Sequence, residues 1–232
     1  MMDRRIVLII GVTAVIGCTS FQQRKNSEVS SYLAVASNPD DPRFLATVSA
    51  VLSDIERHTY EYDDEARKWT FRAIERLRPD DSALRIQVRT IAGLAMPSSR
   101  CSKQLYDFVA ILNALGLLSN VKDASAVDLN VMRLSDPLLG PSAAHNLNSL
   151  QAWNVTSDVE AGLKAVLRVP HGQSDAASYL IFLNSSPQTS RSICSSVAQA
   201  LDEFESCSLV ECSNGREAAI DLNARLTCSG RK

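Results

Sequence analysis

His58, Glu61, Asp63, Asp64 and Glu65 bring metal-ligating residue types together within a few positions. A hard cation needs several carboxylate oxygens gathered on a tightly turned loop, usually with glycine at the turn. No glycine lies in this stretch, and acids just ahead of a helix are accounted for by capping and by the positive end of the helix dipole. The expectation is a solvated cap, with no metal. Serine chemistry has two candidates. Ser119 stands three residues before Lys122, but a lysine-activated serine belongs at a helix start, and Ser119 is expected at a helix end. His171, Ser174 and Asp175 supply the residue types of a triad, yet they sit on one short turn where neighbours do not reach triad geometry. Neither Gly-x-Ser-x-Gly nor a phosphate-cradling glycine loop occurs. No catalytic residue and no cofactor is expected from these groups. Lys68, Arg72 and Arg76 recur every fourth residue, and Arg85 and Arg89 continue the series on the next predicted helix. This basic stripe is a candidate surface for an acidic partner, partly neutralised by Asp64 and Glu75.

The elements that must hold these groups read as helices. Asp41 is placed to cap a helix with Pro42 at its first position. Phe44, Leu45, Val48, Val51, Leu52 and Ile55 then recur with helical period. A second helix is expected after Asp63-Asp64, carrying Ala66, Trp69, Ala73, Ile74 and Leu77 and ending at Pro79. A third starts near Asp81 or Ser82, carries Leu84, Val88, Ile91, Ala92 and Ala95, and ends at Pro97. The fourth, from about Ser102 to Leu118, is apolar nearly all round, which marks a helix buried by neighbours or by a partner. Beyond Asn120 the pattern weakens. Val127, Leu129 and Val131 alternate, Asp136-Pro137 and Gly140-Pro141 break the chain, and short helices are expected over Ala143–Trp153 and Asp158–Val169. The five apolar residues from Tyr179 to Leu183 suit a buried strand. A last helix carries Ile193, Val197, Ala200, Leu201 and Phe204, with Asp202, Glu203 and Glu205 on its wet side. Gly215 is expected in a turn, and Glu217–Cys228 gives no clear period.

Charge is uneven along the chain. Residues 43–100 carry 19 charged side chains in 58 positions, and residues 101–157 carry only 7 in 57. The second stretch is therefore a core or a contact surface. Overall, 45 % of residues are hydrophobic, enough for a real core, and the net charge of −2 makes no electrostatic case for nucleic acid. The fold class expected is mainly α: a compact irregular helical domain with a candidate minor β element and a disulfide-stapled C-terminal region.

The chain opens with Arg4-Arg5, an apolar run of 11 residues from Ile6 to Ile16, and Gly17-Cys18. As a helix this run spans about 17 Å against a hydrocarbon core of about 30 Å, too short to cross. Its layout is that of an export signal. Val15-Ile16-Gly17-Cys18 resembles the lipobox of bacterial lipoproteins. That resemblance implies cleavage before Cys18, a diacylglycerol thioether on its sulfur and an acylated new amine. The small residue ahead of the cysteine gives the peptidase access. With Thr19 and not Asp following, it also implies the outer membrane of a Gram-negative cell, with the chain facing the periplasm. Residues 1–17 are then the signal peptide, residues 18–38 a lipidated cysteine and polar tether reaching roughly 25 Å, and residues 39–232 the periplasmic body.

With Cys18 lipidated, five of the six cysteines remain: Cys101, Cys194, Cys207, Cys212 and Cys228. An oxidising compartment favours disulfides, so two bridges and one spare thiol are expected. No Cys-x-x-Cys occurs and the histidines are distant, which argues against zinc and against a thioredoxin-like motif. Cys207 and Cys212 stand five residues apart, so a bridge from either one to Cys228 closes a more useful loop. Cys194 and Cys207 are expected on one helix about 20 Å apart, beyond the roughly 7 Å that a disulfide spans. Cys101 with Cys194 is open on count alone. The function expected is non-catalytic binding or assembly within an envelope complex, with the membrane and an envelope protein as partners. The rivals are an inhibitor or immunity-type lipoprotein and an envelope hydrolase.

Overall fold

The structure is a computed structural model and describes residues 34–35, 38, 40–59, 62, 66–67, 70–71, 82–95, 102–169 and 173–228. The expected signal, Cys18 and most of the expected tether lie outside them. The fold is mainly α, with nine α-helices and two 3₁₀ turns among the described residues and no strand there. None of these helices is long and apolar enough to cross a membrane. The chain divides into two compact units between Leu117 and Leu118, inside one helix.

The first unit holds α1 (Phe44–Glu56), α2 (Ser82–Gly93) and the start of α3 (Ser102–Asn120). The expected cap at Asp41 falls two residues early: α1 has Arg43 as its N-cap residue, with no side-chain cap bond. Asp41 stands just ahead of the helix, its carboxylate accepting from the Arg43 backbone N–H at 2.8 Å and from the Arg43 guanidinium at 2.8 Å. These bonds hold its pKa down at about 2. Phe44, Val48, Val51, Leu52 and Ile55 form the buried stripe of α1, facing Leu84, Val88, Ile91 and Ala92 of α2. Leu45 falls outside that stripe and is exposed, because one step along a helix turns a side chain by about 100°. Ala95, past the end of α2, is exposed as well. A polar clasp crosses the α1–α2 seam: Ser49 donates to Gln87 at 2.9 Å and the Gln87 amide donates to Ser53 at 3.1 Å. Of the predicted second helix, Ala66–Arg67 and Thr70–Phe71 have helical backbone and are buried. Its remaining residues lie outside the description.

The second unit holds the end of α3, then α4 (Ala126–Val131), α5 (Gly140–Ser149), α6 (Thr156–Val166), α7 (Gln173–Ser185), α8 (Cys194–Phe204) and α9 (Val210–Arg225). Short 3₁₀ turns at Trp153–Val155 and Arg191–Ile193 lead into α6 and α8. At the centre runs α7, packed against α5, α6, α8 and α9. Tyr179–Leu183, expected as a buried strand, is the middle of this helix. Neighbours on several sides bury Ala176, Ala177, Tyr179, Leu180, Phe182 and Leu183, which erases the polar face that gives a helix its readable period. The alternating Val127, Leu129 and Val131 likewise belong to α4.

Gly215, expected in a turn, lies inside α9. A β-carbon there would stand 2.6 Å from Ala177 Cβ and 2.8 Å from its Cα. The glycine therefore lets α9 approach α7 at backbone range. Gly162 serves the same end on α6, where a β-carbon would come within 2.6 Å of the Leu134 carbonyl and 2.5 Å of the Tyr179 ring. Asp136-Pro137, expected as a break, leads into α5. The Asp136 carboxylate accepts from the backbone N–H groups of Leu138 and Leu139 at 2.8 and 3.0 Å, and its carbonyl from Gly140.

Four helices end without glycine. His58, Lys122, Gln151 and Thr227 each take a left-handed backbone, with φ between 50° and 55°. In each case the next residue's N–H reaches back five positions: Thr59 to Asp54, Asp123 to Leu118, Ala152 to Leu147 and Cys228 to Asn223. These are the paired bonds of a Schellman stop, which satisfy carbonyls at the helix end.

Candidate functional site

Polar side chains collect at the C-terminal end of α1. Asp54 is on its inner face, buried, and accepts the Arg67 guanidinium at 2.6 Å and the Thr59 hydroxyl at 2.7 Å. The Arg67 guanidinium also lies 5.7 Å from the centre of the Tyr106 ring on α3, within cation–π range. The next residue of α3, Asp107, is buried and takes the His58 Nδ1–H at 3.1 Å. His58 itself is 45 % exposed, held there by the left-handed stop of α1. A carboxylate bonded to Nδ1 fixes the ring orientation. Beside it, the buried Asp54–Arg67 ion pair locks the end of α1 to its surroundings.

Of the expected solvated cap, only His58 is described, and it bonds to Asp107. Glu61, Asp63, Asp64 and Glu65 lie outside the described residues. Among the described residues no group of three or more His, Cys, Asp and Glu side chains could hold a metal ion. On the basic stripe, Arg85 and Arg89 are half-buried on α2, and Lys68, Arg72 and Arg76 lie outside the description. Sequence reasoning passed over Arg67 because it read the neighbouring Lys68 series as a surface. The usable signal was its place beside Ala66, Thr70 and Phe71 on one inward face.

Ser119 is buried and accepts the Asn130 side-chain amide at 3.0 Å. Lys122 is exposed beyond the helix end. The two are not a nucleophile and its base. Asn130 also donates to the Ala126 carbonyl and accepts from Asn146 at 3.0 Å, tying α3, α4 and α5 together. Tyr179 donates to the Leu134 carbonyl at 2.5 Å from the middle of α7. Burial, then the charges of Asp175 and Asp136, push its pKa well above the usual phenol value. His171 lies outside the description.

The cysteines pair differently from the expectation. Cys194 bonds to Cys228 and Cys207 to Cys212, with Cα separations of 5.4 and 6.1 Å. Cys207 and Cys194 do not share a helix: α8 stops at Phe204, and the chain turns back so that Cys207 meets the first turn of α9. The turn makes the short interval bridgeable and leaves Cys228 for Cys194. Cys101, the thiol expected to be left over or to join Cys194, lies outside the described residues. Arg191 reinforces the long bridge, donating to the Leu226 and Thr227 carbonyls at 2.8 and 2.6 Å. Arg225 donates to the carbonyls of Leu183 and Asn184 at the end of α7. The C-terminal helix is thus fixed at its last turn by one covalent and several charge-assisted bonds.

Compared with protein-family models, with curated proteins and with solved structures, the chain finds no match in any of the three.

Proposed function

We propose that this chain is a lipoprotein anchored through Cys18 to the outer membrane, with its helical body in the periplasm. There it works without catalysis, binding and assembling a partner within an envelope complex. The observation that carries the reading is the pair of disulfides in the second unit. Stable bridges belong to an oxidising compartment, and the export signal ending at Cys18 leads into one. Two features far apart in the chain thus point to the same address. Several buried hydroxyls are committed to structure. Ser119 is bonded to Asn130, Thr156 to the Trp153 carbonyl and Thr189 to the Leu183 carbonyl. A buried hydroxyl so engaged is a packing joint.

The test is Cys18→Ser in the producing cell. Loss of acyl labelling and release from membranes are expected; unchanged membrane fractionation overturns the anchor. Photocrosslinkers at Ile86 and Ile220, both exposed, test for a protein neighbour on either unit. No adduct from any exposed position overturns assembly, and an adduct with one soluble enzyme that the protein inhibits favours an inhibitor.

A further inference from the structure

The Cys207–Cys212 bridge closes a loop of six residues, Cys-Ser-Leu-Val-Glu-Cys, between α8 and α9. At its tip Leu209 is 55 % and Val210 74 % exposed, Val210 being the most exposed large apolar residue described. Both side chains leave more than half of their surface in water. Leu209 is the N-cap residue of α9 and makes no side-chain cap bond, at a position where serine, threonine, aspartate or asparagine would stabilise the helix. Val210, the first helical residue, is β-branched and mostly in water, a choice that propensity and burial both oppose. Leu139, Val155 and Ile193 are also apolar N-caps without a cap bond, but they are buried where Leu209 is exposed, and a local rule broken at an exposed site marks a place kept for another use. The disulfide adds to this by holding the apolar tip in one shape before any encounter, which lowers the entropy cost of docking.

Charge around the tip selects what it meets. From Ser192 to Gly215 the chain carries Asp202, Glu203, Glu205 and Glu211 and no Lys or Arg; of the flanking cations, Arg191 is bonded to the Leu226 and Thr227 carbonyls, and Arg216 is exposed about one turn beyond Cys212. Asp202, Glu205 and Glu211 are exposed and Glu203 is half-buried. Apposed acidic collars disfavour a second copy docking tip to tip, and an anionic lipid surface is disfavoured for the same reason.

We infer that the disulfide-closed Cys207–Cys212 loop is a docking element whose Leu209–Val210 tip enters an apolar pocket rimmed by Lys and Arg on a partner protein. This deepens the assembly reading, on which it rests for the existence of a partner, and it does not depend on the anchor.

A photocrosslinking residue at position 210 of the full chain, in the producing cell, tests it. Position 220, exposed on the same helix about 15 Å further along, and position 86 serve as controls. Expected is a protein adduct at 210 at least tenfold stronger than at 220, mapping to a partner peptide with cationic residues beside apolar ones. Glu205→Lys with Glu211→Lys should cut that adduct at least tenfold, and Cys207→Ser with Cys212→Ser about threefold. Circular dichroism checks that both variants stay folded, and an exposed-surface charge reversal that leaves the bridges in place keeps the test meaningful if the cysteine variant fails. Equal adducts at 210 and 220, an adduct with lipid or a second copy, or indifference to charge reversal would overturn the loop. Adducts at 86 or 220 with none at 210 overturn the loop and leave the assembly reading standing; silence at every position overturns both.

Discussion

In the first unit a carboxylate and a guanidinium are buried together at the end of α1, and a histidine leans on a second buried carboxylate beside them. In the second unit the interior joints around α7 are a tyrosine on a carbonyl, a chain of asparagine and serine amide bonds, and two disulfides near the C-terminus. The two regions solve one problem by different means. A charge-rich stretch that forms a core must pair what it buries, since an ion without a partner costs several kcal/mol. The second unit settles the polar groups around α7 with neutral bonds, sets Arg191 and Arg225 on carbonyls near its C-terminus, and in an oxidising compartment can add covalent links. The first solution is exposed to mutation of either partner; the second is exposed to reductant.

The contrast can be broken by experiment. Asp54→Ala should lower the stability of the first unit by about 3–5 kcal/mol, because it removes one partner of a buried ion pair. Asp54→Leu with Arg67→Met should cost far less, and denaturant unfolding followed by amide exchange in α1 and α2 separates the two. If the single and double variants lose equally, the pair is not what holds that end.

Cys194→Ser with Cys228→Ser should cost the second unit close to about 4 kcal/mol, and Cys207→Ser with Cys212→Ser about 2. The order follows the sequence separations of 34 and 5 residues, because the longer loop restricts the unfolded chain more. Amide exchange in α8 and α9 under reducing conditions measures it, and a reversed order would mean that the short bridge carries native-state contacts beyond loop closure.

Tyr179→Phe removes the donor to Leu134 and leaves that buried carbonyl short of a partner, an expected loss of about 1–3 kcal/mol. Thermal unfolding of the purified protein checks it. Thr227→Gly should act the other way and stabilise by about 1 kcal/mol. A β-branched residue pays for its left-handed backbone and glycine does not.

Smallest of all is the acid response, which has opposite signs in the two units. The pKa of Asp41 is lowered in the fold to about 2 from 3.8 by its bonds to Arg43. Its contribution is complete above 3.8 and is lost as pH falls towards 2. Burial raises the pKa of Asp175, at the start of α7. Its ionised form opposes folding at neutral pH, and that opposition is relieved as pH falls through the raised value. Carboxyl carbon shifts followed by NMR should show the two midpoints on opposite sides of the ordinary aspartate range.

Helices with one dry and one wet face were legible, and α1 and α2 stand close to where their periods put them, as α3 stands close to its long apolar run. What hid α7 was its burial by four neighbours, and what hid the helix ends was the use of His58, Lys122, Gln151 and Thr227 where a glycine would have announced the stop. Gly215 misled for the opposite reason, since it permits close packing and not a turn. At the end of α1, His58 meets Asp107, 49 residues away in sequence. Asp107 gave no local sign of its role.

By itself the sequence determined that the chain is helical, that its N-terminal third is rich in charge, and that its last third gathers thiols. These are properties of composition and of spacing within a few turns, where neighbours in sequence are neighbours in space. Which thiols bond, which arginine is buried and which helix lies at the centre were settled only by the tertiary structure. Each depends on a distance between residues that the chain brings together from far apart, and local period carries no record of such a distance.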